Sequence, residues 1–311
     1  MRLIFLGTPD FAVPTLERMV EAGFVVPLVV TQADRPKGRG QSVAAPPVKE
    51  AAVRLGLPVY QPERIRRPEA LERLREVAAD GMVVVGYGQI IPQAAIDLAP
   101  LGIINVHASL LPKYRGAAPI QWAIVNGETR MGVTTMRIDA GLDTGDMLLK
   151  AEIEVGPNEN AVEVGKRLAE MGADLLVKTM HGLAAGTVAP QKQDHAQATL
   201  APILKKEDGL IDWRLSARAI HNRVRGFQPW PGAYTTFRGQ TLHIWESRLV
   251  AAEPRVPPGA FESRKPLMAA CGAGALELVT VQLEGRKRMA AADFANGQRL
   301  TENDKLGDSH R

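Results

Sequence analysis

The sequence predicts an α/β fold: a doubly wound N-terminal domain with a mostly parallel sheet, followed by a small mainly-β domain. Two observations support this prediction. Continuously apolar runs alternate with segments of helical spacing in the first half of the chain, and short strand-like runs separated by glycine turns occur in the second half. Repeats of strand, helix and strand favour right-handed crossovers and a helix-covered parallel sheet, whereas consecutive short strands favour a barrel or sandwich.

The first half contains five apolar runs that are typical of strands buried on both faces. They are residues 2–7 (RLIFLG), 25–31 (VVPLVVT), 58–60, 82–85 (MVVV) and 103–107 (IINVH). Between them, apolar residues recur near helical spacing, as at Leu71, Leu74 and Val77. Ligands of such sheets bind beyond the carboxyl ends of the strands, so we expect functional residues there.

A domain boundary is predicted where apolar periodicity is lost. A helical pattern over residues 161–183 is followed by an aperiodic stretch at 186–202. We therefore predict a first domain at 1–189, a linker at 190–206 and a second domain at 207–311.

The second domain is predicted to begin with a helix capped by Ser216 and to continue with short strands. These elements span residues 216–227, 233–237, 241–245, 267–271 and 275–281. The polar residues from about 298 to the end are expected to be frayed.

Composition excludes several classes of protein. The 311 residues are 45% hydrophobic and 23% charged, the usual mix of a globular protein of about two domains. The single cysteine, Cys271, excludes an intrachain disulfide and a cysteine-built zinc or iron–sulfur site. Because the chain contains no leader pattern and no apolar stretch of about 18 residues, we expect a cytoplasmic protein with no membrane partner.

The net charge of +4 is unevenly distributed. Residues 1–189 carry 20 basic and 21 acidic side chains, whereas residues 190–311 carry 18 basic and 13 acidic ones. A basic half indicates a polyanionic partner, although a solvated surface without a partner is the commoner explanation of this signal alone.

Several cofactor motifs are absent from the sequence. The turn at residues 7–11 (GTPDF) has one glycine where a dinucleotide site needs G-x-G-x-x-G, and Pro9 removes a backbone donor. A phosphate-binding G-x-x-x-x-G-K-[ST] loop is also missing. The acids Asp139, Asp143 and Asp146 do not follow calcium-loop spacing, so no metal is predicted.

The strongest candidate site lies at the end of the strand predicted at residues 103–107. Side chains of a strand alternate, so Asn105 and His107 point from one face. A histidine with an amide donor beside it can bind a reacting carbonyl and stabilise the oxyanion that forms on attack. Asp143, between two glycines, is the natural acid to orient this histidine, with a turn aspartate that caps its own backbone as the alternative.

Two further features suggest a nucleic-acid partner. Residues 35–40 (RPKGRG) form a basic, glycine-containing loop that can reach phosphates. In the basic half, arginines alternate with aromatic residues, which suits either a stacking surface or the core of the small domain. These residues are Arg223, Arg225, Arg238 and Arg248, with Phe227, Trp230, Tyr234, Phe237 and Trp245.

The motifs together closely resemble the methionyl-tRNA formyltransferase family. The matching segments are GTPDFAVPTL, TQADRPKGRGQ, VVVGYGQIIP, NVHASLLPKYRGAAPIQWAI, GLDTGDMLL, IDW and QPWPGAY. The core Asn-x-His, Ser-Leu-Leu-Pro and Asp is shared by formyltransferases that use 10-formyltetrahydrofolate, whereas the basic loop and the basic C-terminal module point to tRNA.

The resemblance implies transfer of a formyl group from 10-formyltetrahydrofolate to the α-amino group of methionine on initiator tRNA, without a metal. It implies catalytic roles for Asn105, His107 and Asp143. It also implies an OB-like barrel for the second domain. Separately, we expect the enzyme to be a monomer. The residues implied to bind the folate are Ser109, Leu110, Leu111, Pro112, Tyr87, Gly88 and Ile90, and those implied to bind tRNA are Arg39 and Lys37.

Two other functions are compatible with parts of the sequence. A formyltransferase for glycinamide ribonucleotide or an amino sugar nucleotide would share the chemistry but would not need a basic second domain. A non-catalytic RNA-binding protein would give Asn105, His107 and Asp143 no purpose.

Overall fold

The computed structural model describes residues 1–37 and 42–307. Its strands are β1 (Leu3–Gly7), β2 (Val29–Val30), β3 (Arg35–Lys37), β4 (Ser42–Ala44), β5 (Val59–Tyr60), β6 (Gly81–Val85), β7 (Ile103–His107), β8 (Arg115–Gly116), β9 (Arg130–Arg137), β10 (Met147–Glu154), β11 (Leu200–Ala201), β12 (Ala233–Phe237), β13 (Gln240–Val250), β14 (Phe261–Arg264), β15 (Leu267–Ala270), β16 (Ala275–Leu283) and β17 (Met289–Ala290). Its α-helices are α1 (Val13–Glu21), α2 (Pro47–Arg54), α3 (Pro68–Glu76), α4 (Gln93–Ile96), α5 (Pro119–Val125), α6 (Ala161–Ala184), α7 (Ala217–Gly226) and α8 (Ala291–Gly297).

The chain divides into two compact units. The first consists of Met1–Gly116, Met131–Ile153 and Gly165–Leu200, and the remaining residues form the second. Two segments from before the predicted boundary at residue 189, residues 117–130 and 154–164, thus belong to the second unit. The boundary itself stays a prediction.

The first unit is built on a seven-stranded sheet with the order β10-β9-β7-β6-β1-β2-β5. The five strands from β7 to β5 run parallel, and β9 joins β7 antiparallel. Helices follow several of the parallel strands in sequence, as β1 is followed by α1 and β5 by α3. The predicted doubly wound, mostly parallel fold is therefore confirmed.

The apolar runs explain why the central strands of this sheet are buried. Every residue of β1 and of β6 is buried, and Phe5 pairs with Val83 across the two strands. A fully buried valine, leucine or phenylalanine contributes about 1.5–3 kcal/mol. The register aligns Gly7 with Val85 and Val84 with Asn105, so the loops after three neighbouring strands emerge at the same edge.

The second unit contains an antiparallel sheet with the order β12-β13-β16-β15-β14, and β17 pairs with β16. The two outer strands are connected through the C-terminal segment, because Leu306 bridges Phe237 and Lys305 bridges Ala260 next to β14. The sheet thus closes into a small barrel, which confirms the mainly-β prediction.

The closing segment corrects one expectation. Residues from 298 onward were expected to be frayed, yet Leu306 is 3% exposed and its amide donates to the Gly259 carbonyl. The segment is ordered because it supplies backbone partners for both open edges of the sheet. The predicted cap of α7 is present, since the Ser216 hydroxyl accepts from the Ala219 amide at 3.2 Å.

Within the described part of the chain, no helix combines the length and the apolar character needed to cross a membrane.

Candidate active site

Asn105 and His107 lie at the carboxyl end of β7, with Val106 between them on the opposite face. His107 is 6% exposed, and its Nε2 lies 2.9 Å from the Tyr114 carbonyl oxygen. Because a carbonyl only accepts, Nε2 carries the hydrogen and Nδ1 is the ring nitrogen left for chemistry. The side-chain amide of Asn105 forms no hydrogen bond with any of residues 1–37 and 42–307, which leaves this donor available to a ligand.

Asp143 is brought to the same place from the loop between β9 and β10. Its Oδ2 lies 3.7 Å from His107 Nδ1 and accepts a hydrogen bond from the Gly116 amide at 2.8 Å. The carboxylate is thus aimed across the site. The alternative, an aspartate that caps its own turn, describes Asp139 instead, whose Oδ1 accepts from the Gly141 amide and from the Thr144 hydroxyl.

The backbone of Asp143 is held in an unusual conformation by a residue from the predicted linker. Asp143 has φ of 50°, a region that residues other than glycine seldom occupy. Gln193 is 5% exposed, and its Nε2 donates to the carbonyls of Asp143 at 2.9 Å and Gly145 at 2.8 Å. These two bonds fix the turn that carries the carboxylate.

Gln193 is in turn held by a buried arginine. Arg115, 6% exposed, donates from Nε and from a terminal nitrogen to Gln193 Oε1 at 3.0 and 2.7 Å. Both terminal nitrogens also lie 3.3 Å from His195 Nδ1, and no carboxylate among the described residues pairs with the guanidinium. Sequence reasoning missed Arg115 and Gln193: Arg115 stands in one of the matching motifs but received no role, Gln193 stands in none, and their partners are distant in sequence.

The loop after β7 contains the predicted folate residues Ser109, Leu110, Leu111 and Pro112. The Ser109 hydroxyl donates to the Lys113 carbonyl at 2.6 Å, and Ser109 is 3% exposed. Thr134 anchors the same loop through the Ser109 carbonyl at 2.7 Å and the Leu111 amide at 3.1 Å. The Ser109 hydroxyl proton is therefore used inside the loop, where it helps to fix the loop shape.

Lys150 fixes the Leu111 carbonyl through its ammonium group. Partial burial lowers the pKa of Lys150. The end of the loop at residues 109–112 thus has a cationic partner from β10.

The second predicted folate segment, containing Tyr87, Gly88 and Ile90, follows β6 at the same edge of the sheet. The Tyr87 ring is buried, its hydroxyl has no hydrogen-bond partner among the described residues, and burial raises its pKa to about 12. Its carbonyl accepts from the Thr8 hydroxyl at 2.9 Å and from the Gln32 amide at 3.1 Å.

Tyr87 therefore anchors the segment, while Gly88 and Ile90 after it are accessible to a ligand. Gly88 has φ of 86°, and Ile90 is 91% exposed. The backbone groups of Gly88 and Ile90 bond to no other described residue. Polar backbone groups and an apolar side chain are thus available where a ring system could lie.

The predicted tRNA residues are only partly within the structure. Lys37 ends β3, which forms a hairpin with β4, and Arg39 lies outside the described residues. A surface cleft lined by Thr8, Gln32, Arg35 and residues 44–47 opens beside this hairpin. No group of three or more His, Cys, Asp or Glu side chains suited to a metal occurs among the described residues.

Comparison with known proteins places this arrangement in a family. Residues 1–180 match the formyl transferase family model, and residues 203–299 match the formyl transferase C-terminal domain. The chain is 72% identical over 310 residues to the methionyl-tRNA formyltransferase of Solibacter usitatus, with all of both chains covered. The corresponding protein of Koribacter versatilis is 58% identical, with 99% of each chain covered.

Solved structures of lower sequence identity share the fold. An N-formyltransferase from Helicobacter canadensis, crystallised with folinic acid and dTDP-3-aminofucose, superposes with a TM-score of 0.68 at 20% identity, covering 89% of this chain and 98% of the other. A glycinamide ribonucleotide transformylase from Symbiobacterium toebii gives a TM-score of 0.53 at 20% identity, covering 62% and 94%. With both family domains matched and full-length relatives sharing up to 72% of their residues among those compared, the chain belongs to the methionyl-tRNA formyltransferase family.

Proposed function

We propose that the protein transfers the formyl group of 10-formyltetrahydrofolate to the α-amino group of methionine on initiator tRNA, for translation initiation. The observation that carries the proposal is the grouping of Asn105, His107 and Asp143 at one edge of the sheet. His107 Nδ1 lies 3.7 Å from Asp143 Oδ2. The names of the full-length relatives supply the acceptor. The folinic acid in the Helicobacter canadensis enzyme supports a folate as the donor.

The reaction forms one bond and breaks another at the formyl carbon. The uncharged amine attacks this carbon, and a tetrahedral intermediate with an oxyanion results. The bond from carbon to folate N10 then breaks, the former amine loses a proton, and N10 gains one. The products are formylmethionyl-tRNA and tetrahydrofolate, so neither an oxidant nor a metal is needed for the atoms to balance.

His107 and Asn105 are assigned to the oxyanion. In its charged form, His107 carries hydrogens on both nitrogens; Nε2 is held by the Tyr114 carbonyl, so only Nδ1 can donate to substrate. The free amide of Asn105, two residues earlier on the same face, provides a second donor. Hydrogen-bond donors that are already oriented before the reaction stabilise the developing charge with little reorganisation. Removing one such donor lowers kcat by about 10²–10³-fold.

Asp143 is assigned to charge balance and to the amine proton. Its carboxylate lies 3.7 Å from His107 Nδ1, where it can balance the charge of an imidazolium and accept the proton that the attacking amine loses. The Gly116 amide and Gln193 hold the carboxylate in this position.

The folate is assigned to the two loops at the carboxyl edge. The exposed backbone of Gly88 and Ile90 suits a pterin ring, and the loop of residues 109–112 borders the formyl group. Ser109 contributes through the shape of this loop, because its hydroxyl already serves the Lys113 carbonyl.

The tRNA is assigned to the basic parts of the chain. Lys37 and Arg39 would contact the acceptor end, and the excess of 18 basic over 13 acidic residues in 190–311 would attract the backbone. We further propose that the enzyme acts as a monomer in the cytoplasm, where a single cysteine suits a reducing environment.

The proposal is tested by a choice of acceptors. Labelled 10-formyltetrahydrofolate is incubated with methionyl initiator tRNA, uncharged initiator tRNA, glycinamide ribonucleotide or an amino sugar nucleotide. The proposal predicts label on methionyl-tRNA alone. Label only on the ribonucleotide or sugar would assign a different acceptor, and no label on any acceptor would favour a non-catalytic RNA-binding protein.

A further inference from the structure

The aromatic residues of the basic second unit fall into two sets. Phe227 and Phe237 are buried, and Phe237 packs edge-on against Phe294 in the core. Tyr234 and Trp245 are only partly buried. The core explanation therefore accounts for the phenylalanines and leaves Tyr234, Trp245 and the exposed Trp230 at the surface.

The arginines that alternate with these rings are largely occupied by the fold. Arg238 makes two bonds of 2.7 Å to the Asp304 carboxylate, and Arg225 is buried against the Asn222 amide oxygen. Arg223 donates to the Asp208 carbonyl at 3.0 Å. These side chains cannot bind a partner without first giving up internal contacts.

A row of rings covers the outer face of the sheet formed by β12, β13 and β16. Tyr234 pairs with His243, which pairs with Gln282 on the next strand. The His243 ring lies parallel to Trp245, with 14° between planes and 5.4 Å between centroids, and Tyr234 lies 5.7 Å away on the other side. The outer face of a sheet usually carries polar side chains, so three adjacent rings there call for a role.

Arg288 completes this row. Its guanidinium carbon lies 3.6 Å from the Trp245 ring centroid, and the indole is fixed by a 2.9 Å bond from Nε1 to Gln282 Oε1. Arg288 is exposed and makes no hydrogen bond or ion pair with any residue in 1–37 or 42–307. Arg238 also stacks on a ring, but Asp304 neutralises it.

The charges around the row are mainly positive. Arg286 and Lys287 precede Arg288 in the same exposed turn. Burial lowers the pKa of His243, and the charges of Arg288 and Lys206 lower it further. The acids nearby include Glu207, which faces Tyr234, and Glu246, which accepts from the Thr280 hydroxyl at 3.0 Å. Glu284, at the start of the turn that carries Arg288, accepts from the Thr241 backbone amide at 3.2 Å. His243 Nδ1 is buried without a hydrogen-bond partner among the described residues.

We propose that Trp245 and Arg288, with the row of Tyr234 and His243 behind them, form a stacking site for an exposed base of the tRNA substrate. The indole holds the guanidinium flat, so its outer plane can stack on a base while its charge meets the adjoining phosphate. Arg286 and Lys287 supply further phosphate contacts. This inference rests on the proposed function, since it assigns part of the tRNA to the second unit.

RNA is the occupant that this surface fits best. A flat, unpaired cation on an aromatic support matches the π-face and the negative charge of a nucleotide together. An acidic peptide would interact with the positive charges but would not need the flat guanidinium of Arg288. Substitutions that remove this flat group and keep its charge therefore distinguish RNA from an acidic peptide.

The test uses the full-length protein and initiator tRNA, with binding measured at several salt concentrations. Arg288→Ala removes plane and charge, Arg288→Lys keeps the charge alone, and Trp245→Leu removes the support. Arg264→Ala is the matched control, because Arg264 is an exposed arginine at the end of β14, remote in the strand order. Thermal unfolding of each variant checks that the barrel is intact.

We expect Arg288→Ala, Arg288→Lys and Trp245→Leu each to weaken binding about tenfold or more. Only Arg288→Ala should also reduce the salt dependence, by about one unit of slope. Arg264→Ala should lose less than about threefold. The loss in the Arg288 and Trp245 variants should appear in the KM for tRNA, whereas Arg264→Ala should leave kcat unchanged.

Full affinity in Arg288→Lys, or equal losses in Arg288→Ala and Arg264→Ala, would overturn the stacking site and leave only diffuse attraction. Wild-type formylation of methionyl-tRNA in the same preparation shows that such a result concerns the stacking site alone. If the wild type neither binds nor formylates tRNA, the proposed function fails, and the stacking site fails with it.

Discussion

Gln193 offers a sharp test of how the fold holds the Asp143 carboxylate. Replacing it by leucine keeps most of the side-chain volume and removes the two bonds to the carbonyls of Asp143 and Gly145. It also removes the oxygen that accepts from the buried Arg115. Two lost bonds cost about 1 kcal/mol each, and an unsatisfied buried donor costs at least about 1 kcal/mol, so Gln193→Leu should destabilise the protein by about 3 kcal/mol.

Comparing kcat with stability in Gln193 variants shows whether Gln193 positions Asp143 or only stabilises the fold. Gln193→Glu gives Arg115 a carboxylate partner but cannot donate to the Asp143 carbonyl. We therefore expect Gln193→Glu to regain part of the lost stability while its kcat remains as low as in the leucine variant, about 10–100-fold below wild type. The KM for tRNA should not change, because Gln193 is buried behind the site.

Urea unfolding and steady-state formylation of methionyl initiator tRNA measure the two effects. Gln197→Ala is the control, since this exposed glutamine of the same segment bonds only Asp194 and should leave both quantities unchanged. If kcat follows stability across all three variants, or if Gln193→Glu is fully active, Gln193 only supports the fold and does not position Asp143.

Three further changes test other parts of the account. Asp143→Asn should lower kcat about 100-fold or more without lowering the Tm, because the amide oxygen can still accept from the backbone; a fully active variant would refute the charge-balancing role. Gly132→Ala should cost about 1–3 kcal/mol in urea unfolding, since the new methyl group would clash with the Ala151 carbonyl; an unchanged midpoint would contradict this packing. Burial lowers the pKa of His221 from 6.5, so the unfolded chain takes up the proton first and the free energy of unfolding should fall as pH decreases below 6.5. His221→Gln should flatten this fall, and an unaltered pH profile from urea titrations at pH 7.5 and 5.5 would exclude His221 as its source.

Sequence reasoning works best where local pattern and tertiary structure agree. The run MVVV can only be satisfied by burial on both faces, and β6 is buried throughout. Because side chains of a strand alternate, the sequence puts Asn105 and His107 on the same face of β7, and the structure does so too. Both results depend on neighbours in sequence, which a pattern can register.

The structural features that the sequence did not predict depend on distant partners. Gln193 bonds Asp143 across 50 residues and Arg115 across 78, so its segment resembles a linker in composition alone. Leu306 is ordered because two strand edges need its backbone. No local pattern carries such information.

Aromatic residues show the same limit. Phe237 and Trp245 both occur in strand-like runs, and the sequence offers no means to tell which is buried. Register decides it, because the bulge after Ile244 and the alternation of β13 place Trp245 outside and Ile244 inside. The stacking partner Arg288 then comes from a turn 43 residues later.

His107 is proposed to act on the transition state of formyl transfer to methionyl-tRNA. Single-turnover transfer from labelled 10-formyltetrahydrofolate, with enzyme in excess over methionyl initiator tRNA, isolates this step. We predict rapid formylation by the wild type and a rate at least about 100-fold lower for His107→Ala, with the Kd for tRNA unchanged. Wild-type protein that transfers no label to methionyl-tRNA would refute the proposed reaction, and a His107→Ala variant that transfers it at the wild-type rate would refute the role of His107.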